Sequence, residues 1–158
     1  MVTRRSSASI SQPLHSLSEE KVRFAYETEL FYSMMDSAEL CQFVFGPTWT
    51  LYGPNETVEM IHAVTGWDVT LEELLAVGRR RLNLFRIFNA REGFGRKDDK
   101  LPKKLFKTLQ GTGPTAGIAL THEEMDTAID QYYKMAGWTP DGKPTRETVE
   151  ALDIAWAL

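Results

Sequence analysis

Apolar residues recur along most of this chain at helical spacing, and no run of strict apolar–polar alternation stands out. The first periodic segment, Glu19–Met35, contains neither glycine nor proline, and Val22, Ala25, Tyr26, Leu30 and Met34 trace a stripe along it. Ser18 is suited to cap this helix. Glu19 and Glu20 fall in its first turn, where the positive end of the helix dipole favours acids. Asp36-Ser37 predicts a break. A short apolar stretch, Leu40–Phe45, follows and ends at Gly46-Pro47.

A second helix is expected after Asn55, a good cap, running through Val58, Met60, Ile61 and Val64 to a stop at Gly66. The third is announced by Thr70-Leu-Glu-Glu73, a capping box in which hydroxyl and carboxylate satisfy orphan amides reciprocally. Leu71, Leu74, Leu75, Gly78, Leu82, Phe85 and Phe88 or Asn89 then predict one face, and Gly93 closes it. Glycine inside a helix costs about 1 kcal/mol against alanine, so Gly78 implies the close approach of a neighbour. A second box, Thr121-His-Glu-Glu124, opens a fourth helix through Met125, Ala128, Ile129, Tyr132 and Met135, stopped by Gly137. Asp141-Gly142 predicts a turn. Thr145 then caps a last short helix whose Val149, Leu152 and Ile154 can pack. Gly66-Trp67 and Gly137-Trp138 both read as helix stops in which the tryptophan folds back onto the helix end. The expected fold is all-α, an irregular bundle of about five helices with a long connection over 93–120. A connection of that length in a small domain is functional or pinned to something.

The 158 residues suffice for one domain that buries about two-thirds of its unfolded surface. An apolar share of 42% and a charged share of 25% exclude wholesale disorder and fibrous classes. No apolar run could cross a membrane as a helix. Residues 1–13 read as a tail. Their arginine- and serine-rich, acid-free character is shared by organelle transit peptides, but no apolar core of a secretory signal is present. The single cysteine, Cys41, excludes a disulfide framework and a self-contained cysteine metal site. His15, His62 and His122 lack ligand spacing. The chain reads as intracellular, in the cytoplasm. Net charge is −4, yet 79–107 alone carries +8 and the remainder −12. Such a basic stretch could meet nucleic acid. The plainer reading is a solvated helix face and loop.

Candidate chemistry is sparse. Asp98-Asp99 could hold a cation or share a proton, but more simply caps a turn and pairs with lysines. Arg79-Arg80-Arg81 must point in different directions from a helix, at least one of them to solvent. Asn89 and Arg91 are placed to fix the following loop through the last helical carbonyls, or to touch a partner. Cys41 among apolar neighbours reads by itself as a small core residue.

Several segments together resemble one family. They are 63–70 (AVTGWDVT), 72–75 (EELL), Gly78-Arg79, 88–93 (FNAREG), Arg96, Asp98-Asp99, Leu101-Pro102, Tyr132-Tyr133, Gly137-Trp138 and 141–145 (DGKPT). In this order they are similar to the C-terminal helical domain of the aldehyde ferredoxin oxidoreductases, over roughly residues 20–152. Family enzymes carry tungsten, or molybdenum, on two pterins. Their motif Asp-x-x-Gly-Leu-Cys supplies a pterin-binding aspartate and the fourth cysteine of a [4Fe–4S] cluster. The motif here is Asp36-Ser37-Ala38-Glu39-Leu40-Cys41. The resemblance thus implies Asp36 and Leu40 at the pterin and Cys41 on the cluster. A carboxylate suits pterin N–H donors, and a thiolate suits cluster iron. The family glycine is Glu39 here. A position open only to glycine, or one where backbone approaches the pterin, would be strained or crowded by a side chain. Arg80 and Lys104 also depart from the family pattern, which has an acid and an arginine there.

The resemblance further implies what must come from elsewhere: three cysteines, the pterin-binding N-terminal domain and the middle domain with its acid–base residues. Residues 14–158 are therefore expected to be a C-terminal part, inactive alone. With the remaining domains it would oxidise an aldehyde to a carboxylic acid and pass electrons to ferredoxin. The alternative expectation is a non-catalytic helical module that kept the fold, lost the cofactor, and uses its basic stretch to bind a protein or nucleic acid.

Overall fold

Each long helix begins on a cap. The computed structural model describes residues 17–45 and 52–158. The expected tail over 1–13 and the stop at Gly46-Pro47 lie outside them. Helix α1 (Glu19–Ser37) starts at Ser18, whose hydroxyl accepts the Lys21 N–H at 3.4 Å. Helix α2 (Gln42–Phe45) is one turn. Helix α3 (Pro54–Thr65) is capped at Gly53, not at Asn55, which sits in its first turn. Glu56 reaches back to the Gly53 N–H at 2.8 Å, and Pro54 fits the first helical position because its missing N–H would have had no partner. Helices α4 (Leu71–Arg91) and α5 (His122–Ala136) open on the Thr70/Glu73 and Thr121/Glu124 boxes. The Thr70 and Thr121 backbone N–H groups hold the Glu73 and Glu124 carboxyls below the usual carboxylate range. Thr145 caps α6 (Arg146–Ala151). Among the described residues there is no strand, only an isolated bridge between Trp138 and Pro144. No helix there is long and apolar enough to cross a membrane.

Helix α4 is the spine. It crosses α1 where Gly78 meets Leu30: a Cβ on Gly78 would lie 2.0 Å from the Leu30 carbonyl oxygen and 2.9 Å from its carbon. This contact seats Phe31, Met34 and Met35 against Leu74 on one side of the crossing. On the other side Tyr26 and Leu30 pack with Ala136 of α5. Each such buried side chain contributes about 1.5–3 kcal/mol. Farther along, Ile87 packs with Val149, Leu152 and Ile154, as the spacing of the last helix predicted.

The predicted face of α4 holds only in its first half. Phe85 is 53% and Phe88 61% exposed, and Asn89 is also at the surface. The residues that turn inward are Asn83 and Ile87. Asn83 is almost wholly buried and satisfied twice, accepting the Trp138 indole N–H at 2.9 Å and donating to the Arg79 carbonyl. On α1, Ala25 of the predicted stripe is exposed.

The helix ends share one device. Backbone N–H groups of Leu40, Phe94, Trp138 and Ile154 reach five residues back to carbonyls of Met35, Asn89, Tyr133 and Val149. The residue before each donor has positive φ: Glu39, Gly93, Gly137 and Asp153. These are Schellman ends. Trp138 folds back as expected and packs edge-on to Tyr132. Trp67 does not. It is 67% exposed, and its N–H bonds to the Thr65 hydroxyl, so Gly66 forms only the simpler single-bond end to His62.

The connection over 93–120 is pinned to the helices. Asp99 takes both ends of the Arg86 guanidinium, and the Tyr133 hydroxyl donates to the same carboxylate. Arg86 also donates to the Gly142 carbonyl and lies over the Trp138 ring, 4.7 Å from its centroid. A Cβ at Gly142 would collide with Arg86 and Tyr133. Asp99 therefore pairs with an arginine of the spine, not with lysines, while Asp98 accepts the Gly95 N–H in a turn. Arg96 extends the lock to Asp126 and Asp130. Phe106 stacks on His122 at 3.9 Å. Arg91 bonds to the Leu158 carbonyl instead of the last helical carbonyls.

Two outcomes follow. Gly78→Ala forces backbone apart, so the overpacking cost exceeds the roughly 1 kcal/mol gained in helix propensity. The expected net loss is about 2 kcal/mol, read as a melting temperature lower by about 4–8 °C. In the Arg86–Asp99–Tyr133 lock, burial would raise the Asp99 pKa, but hydrogen bonds from Arg86 and Tyr133 outweigh it and hold it below its ordinary value. Burial and the bond to Asp99 push Tyr133 up to about 12. The Asp99 contribution to stability is then present above the ordinary aspartate pKa of about 3.9 and is lost as pH falls below it. The Tyr133 contribution is present below pH about 10 and is lost as pH rises toward about 12. Thermal melts should show a steeper alkaline decline for the native chain than for Tyr133→Phe, and a steeper acid decline than for Asp99→Asn. Parallel curves would show that the lock does not form.

Candidate functional site

The segment Asp36–Cys41 is the C-terminal end of α1 and the entry to α2. Glu39 adopts φ +56°, the left-handed region that favours glycine, and Leu40 donates its N–H to the Met35 carbonyl at 2.9 Å. Leu40 is half-buried and packs onto the cluster of Phe31, Met34, Met35 and Leu74. This is the hydrophobic contact that accompanies a Schellman end. Leucine at this place is therefore explained by packing. A left-handed residue before it is explained by the turn.

Asp36 has no such local reason. It lies in the last turn of α1, at the negative end of the helix dipole, and no basic residue of that turn offsets it. Its carboxylate is at the surface. One oxygen accepts from the Gln42 side chain at 2.9 Å, and the other pairs with Arg81 of α4 at 3.1 Å. Arg81 also donates to the Ser33 hydroxyl and lies over the Phe85 ring. The three adjacent arginines do diverge: Arg79 goes to Tyr26, Arg80 donates to the Leu152 carbonyl from an exposed position, and Arg81 goes to Asp36.

Cys41 is a free, exposed thiol, not a core residue. Its carbonyl accepts the Val44 and Phe45 N–H groups at 3.0 Å, so it stands at the cap of α2. Among the described residues no group of three or more His, Cys, Asp or Glu side chains could hold a metal ion. Cys41 can thus act as one ligand of a shared centre and not as a centre by itself. Asp36 keeps lone pairs beyond those used by Gln42 and Arg81 and can still accept N–H donors.

Beside this loop lies an apolar cleft of about 730 Å³ between α1, α3 and α4. Met34, Leu40, Ile61, Trp67, Leu74 and Val77 are among its lining residues. The exposed Trp67 therefore forms a wall of the cleft. The resemblance marked Asp36, Leu40 and Cys41. Arg81, which holds the aspartate, and the cleft itself were not anticipated. Arg81 could have been suspected as one of three adjacent cations on a helix, but nothing in the sequence pairs it with a residue 45 positions earlier.

A family model described as aldehyde ferredoxin oxidoreductase, domains 2 and 3, matches residues 3–154. A tungsten-containing aldehyde ferredoxin oxidoreductase of Pyrococcus furiosus is 35% identical over 143 residues, covering 89% of this chain and 22% of that protein. One from Thermococcus kodakarensis is 36% identical over the same span and shares. A protein described as an aliphatic sulfonate oxidoreductase, WOR-like subunit, from Pyrococcus furiosus is 33% identical over 138 residues, 84% of this chain and 21% of that one. The chain spans about a fifth of the length of these curated relatives. Among solved structures, the active-site complex BamBC of benzoyl coenzyme A reductase with 1,5-dienoyl-CoA superposes with a TM-score of 0.70 at 22% identity. The match covers 93% of this chain and 21% of that one, and it shows a shared fold.

Glu39→Gly removes a side chain from a left-handed position, where an L-residue costs about 1–2 kcal/mol. Part of that gain is lost to the greater freedom of the unfolded glycine chain. The expected net effect is a stabilisation of about 0.5–1 kcal/mol, seen as a melting temperature higher by about 1–4 °C. A lower melting temperature would mean that Glu39 is held by contacts that outweigh its backbone cost.

Proposed function

This chain belongs to the aldehyde ferredoxin oxidoreductase family, and on that premise we propose that it forms the C-terminal wall of a tungsten- or molybdenum-dependent oxidoreductase. In this reading residues 14–158 are the helical domain that closes over the cofactor, and residues 1–13 are a tail. The observation that carries it is a surface carboxylate in the last turn of α1 standing close in the chain to a free surface thiol at the cap of α2. Asp36 sits where the helix dipole disfavours it, and Cys41 is exposed five residues on. The turn itself requires neither residue, and both suit ligation.

Asp36 would accept N–H bonds from one pterin, oriented by Arg81 and Gln42. Leu40 anchors the loop by packing and would hold its backbone beside the same cofactor. Cys41 would give a thiolate to a [4Fe–4S] cluster whose other three cysteines come from the remaining domains. When bound, the metal–pterin centre and the cluster would supply the redox chemistry: an aldehyde and water become a carboxylic acid, with two protons released and two electrons passed to ferredoxin. Glu39 keeps the left-handed backbone that a glycine would adopt, so this departure from the family motif leaves the shape of the loop compatible with cofactor binding. The apolar cleft beside Leu40 supports a role in lining the approach of an apolar substrate. Alone the chain would hold neither group and would be inactive. The parts that complete both sites would come from the remaining domains or a further subunit of the oxidoreductase, in the cytoplasm.

The test is made on the assembled enzyme, purified through a tag on this chain. Tungsten or molybdenum, and iron near four atoms per complex, should arrive with a longer cysteine-containing polypeptide. Cys41→Ser should lower iron content or shift the cluster potential. Asp36→Ala should lower the pterin content of the complex while leaving the chain's fold intact. A metal-free 18.0 kDa species would overturn the proposal, as would a Cys41→Ser complex of unchanged iron content and potential.

A further inference from the structure

The +8 charge of 79–107 divides into two populations. The arginines are mostly spent inside the fold: Arg80, Arg81, Arg86, Arg91 and Arg96 each reach a carbonyl, hydroxyl or carboxylate of this chain. The lysines are not. Lys97, Lys100, Lys103, Lys104 and Lys107 are all exposed, and none has a partner among the described residues. Of the three acids within the segment, Asp98 accepts the Gly95 N–H and Asp99 pairs with Arg86, while Glu92 lies at the end of α4, outside 97–107.

These five lysines are carried on a fixed support. The Arg86–Asp99 and Arg96–Asp126 pairs clamp its start. The 3₁₀ turn Lys103–Phe106 is held by the Phe106–His122 stack. Half-exposed Leu105 and Leu109 are interleaved with the lysines. Five cationic side chains are thus carried within eleven residues without an ion pair among the described residues, in a chain that is acidic elsewhere.

We propose that the lysine loop 97–107 docks a bounded acidic surface of a partner protein. Charge complementarity selects the occupant. Lysine keeps its hydration and is depleted from the cores of permanent interfaces, so five of them suit a salt-sensitive, transient contact. A long polyanion is disfavoured because the exposed Glu123, Asp126 and Asp130 of α5 border the loop through the His122 and Arg96 contacts. A nucleic-acid strand leaving the loop on that side would meet them. A compact acidic patch would not. The inference is independent of whether Cys41 ligates iron.

The probe is a fluorescent helical peptide of about 20 residues with glutamates along one face, titrated with the whole chain and read by anisotropy. Affinity should fall at least about tenfold between about 20 and about 150 mM salt, as the Debye length shortens. The triple variant Lys100→Glu, Lys103→Glu, Lys104→Glu should lose at least about tenfold at low salt, with an unchanged melting temperature. Lys104→Glu alone should lose about threefold, which keeps the test open if the triple variant does not fold. A matched triple elsewhere (Lys134→Glu, Lys143→Glu, Arg146→Glu) should change affinity less than about twofold. Absence of peptide binding at low salt would overturn the proposal. So would equal loss in the matched triple, or tighter binding of a single-stranded oligonucleotide of the same charge.

Discussion

The backbone contact between Gly78 and Leu30 governs the rest of the architecture. No side chain separates α4 from α1 at that point, so the two helices meet more closely than any pair bearing Cβ atoms there could. Close approach brings apolar neighbours on both sides into dispersion contact, and packing energy is steep in distance. Phe31, Met34, Met35 and Leu74 close one side of the crossing, and Tyr26, Leu30 and Ala136 the other. The same crossing sets Arg81 within reach of Asp36 and Ser33. A structural glycine therefore determines the surroundings of the candidate ligand carboxylate.

A second constraint acts at the other end of the spine. Arg86 gathers Asp99, Tyr133, Gly142 and Trp138 around one guanidinium, joining the long connection, α5 and the Asp141-Gly142 turn. Part-buried and multiply bonded, this group uses the fixed fork geometry of arginine, which lysine could not reproduce. The connection is thereby ordered without being covered. That is why the lysines beyond Asp99 stand exposed on a support that does not collapse, and why charge that looks uniform in the sequence separates into internal arginines and external lysines.

The candidate site combines local and distant causes. Leu40 and the left-handed Glu39 belong to a helix end of the same kind as those at Gly93, Gly137 and Asp153, so their geometry needs no cofactor. Asp36 and Cys41 are the residues this device leaves unexplained. Their motif could be noticed in the sequence by its resemblance to a family. From composition alone Cys41 read as a core residue, and the structure places it at the surface. A single side chain among apolar neighbours does not reveal which way its helix end will turn.

What the sequence determined by itself is the set of local, short-range features. Caps at Ser18, Thr70, Thr121 and Thr145, stops at Gly93 and Gly137, and the all-α class follow from hydrogen bonds spanning three to five residues, which local composition specifies. Asn55 misses because the helix starts two residues earlier at Gly53, whose carbonyl takes the Thr57 N–H and whose own N–H goes to Glu56, and Trp67 misses because the Thr65 hydroxyl takes its N–H. Only the tertiary structure decided which face of α4 is buried beyond Gly78. Asn83 turns inward because Trp138, 55 residues away, offers an indole N–H, and Phe85 turns outward beneath Arg81. The Arg86–Asp99 lock, the Arg81–Asp36 pair and the cleft beside Leu40 likewise depend on contacts between elements distant in the chain. Such contacts carry no periodic signature, because their energy is released only after the helices have met.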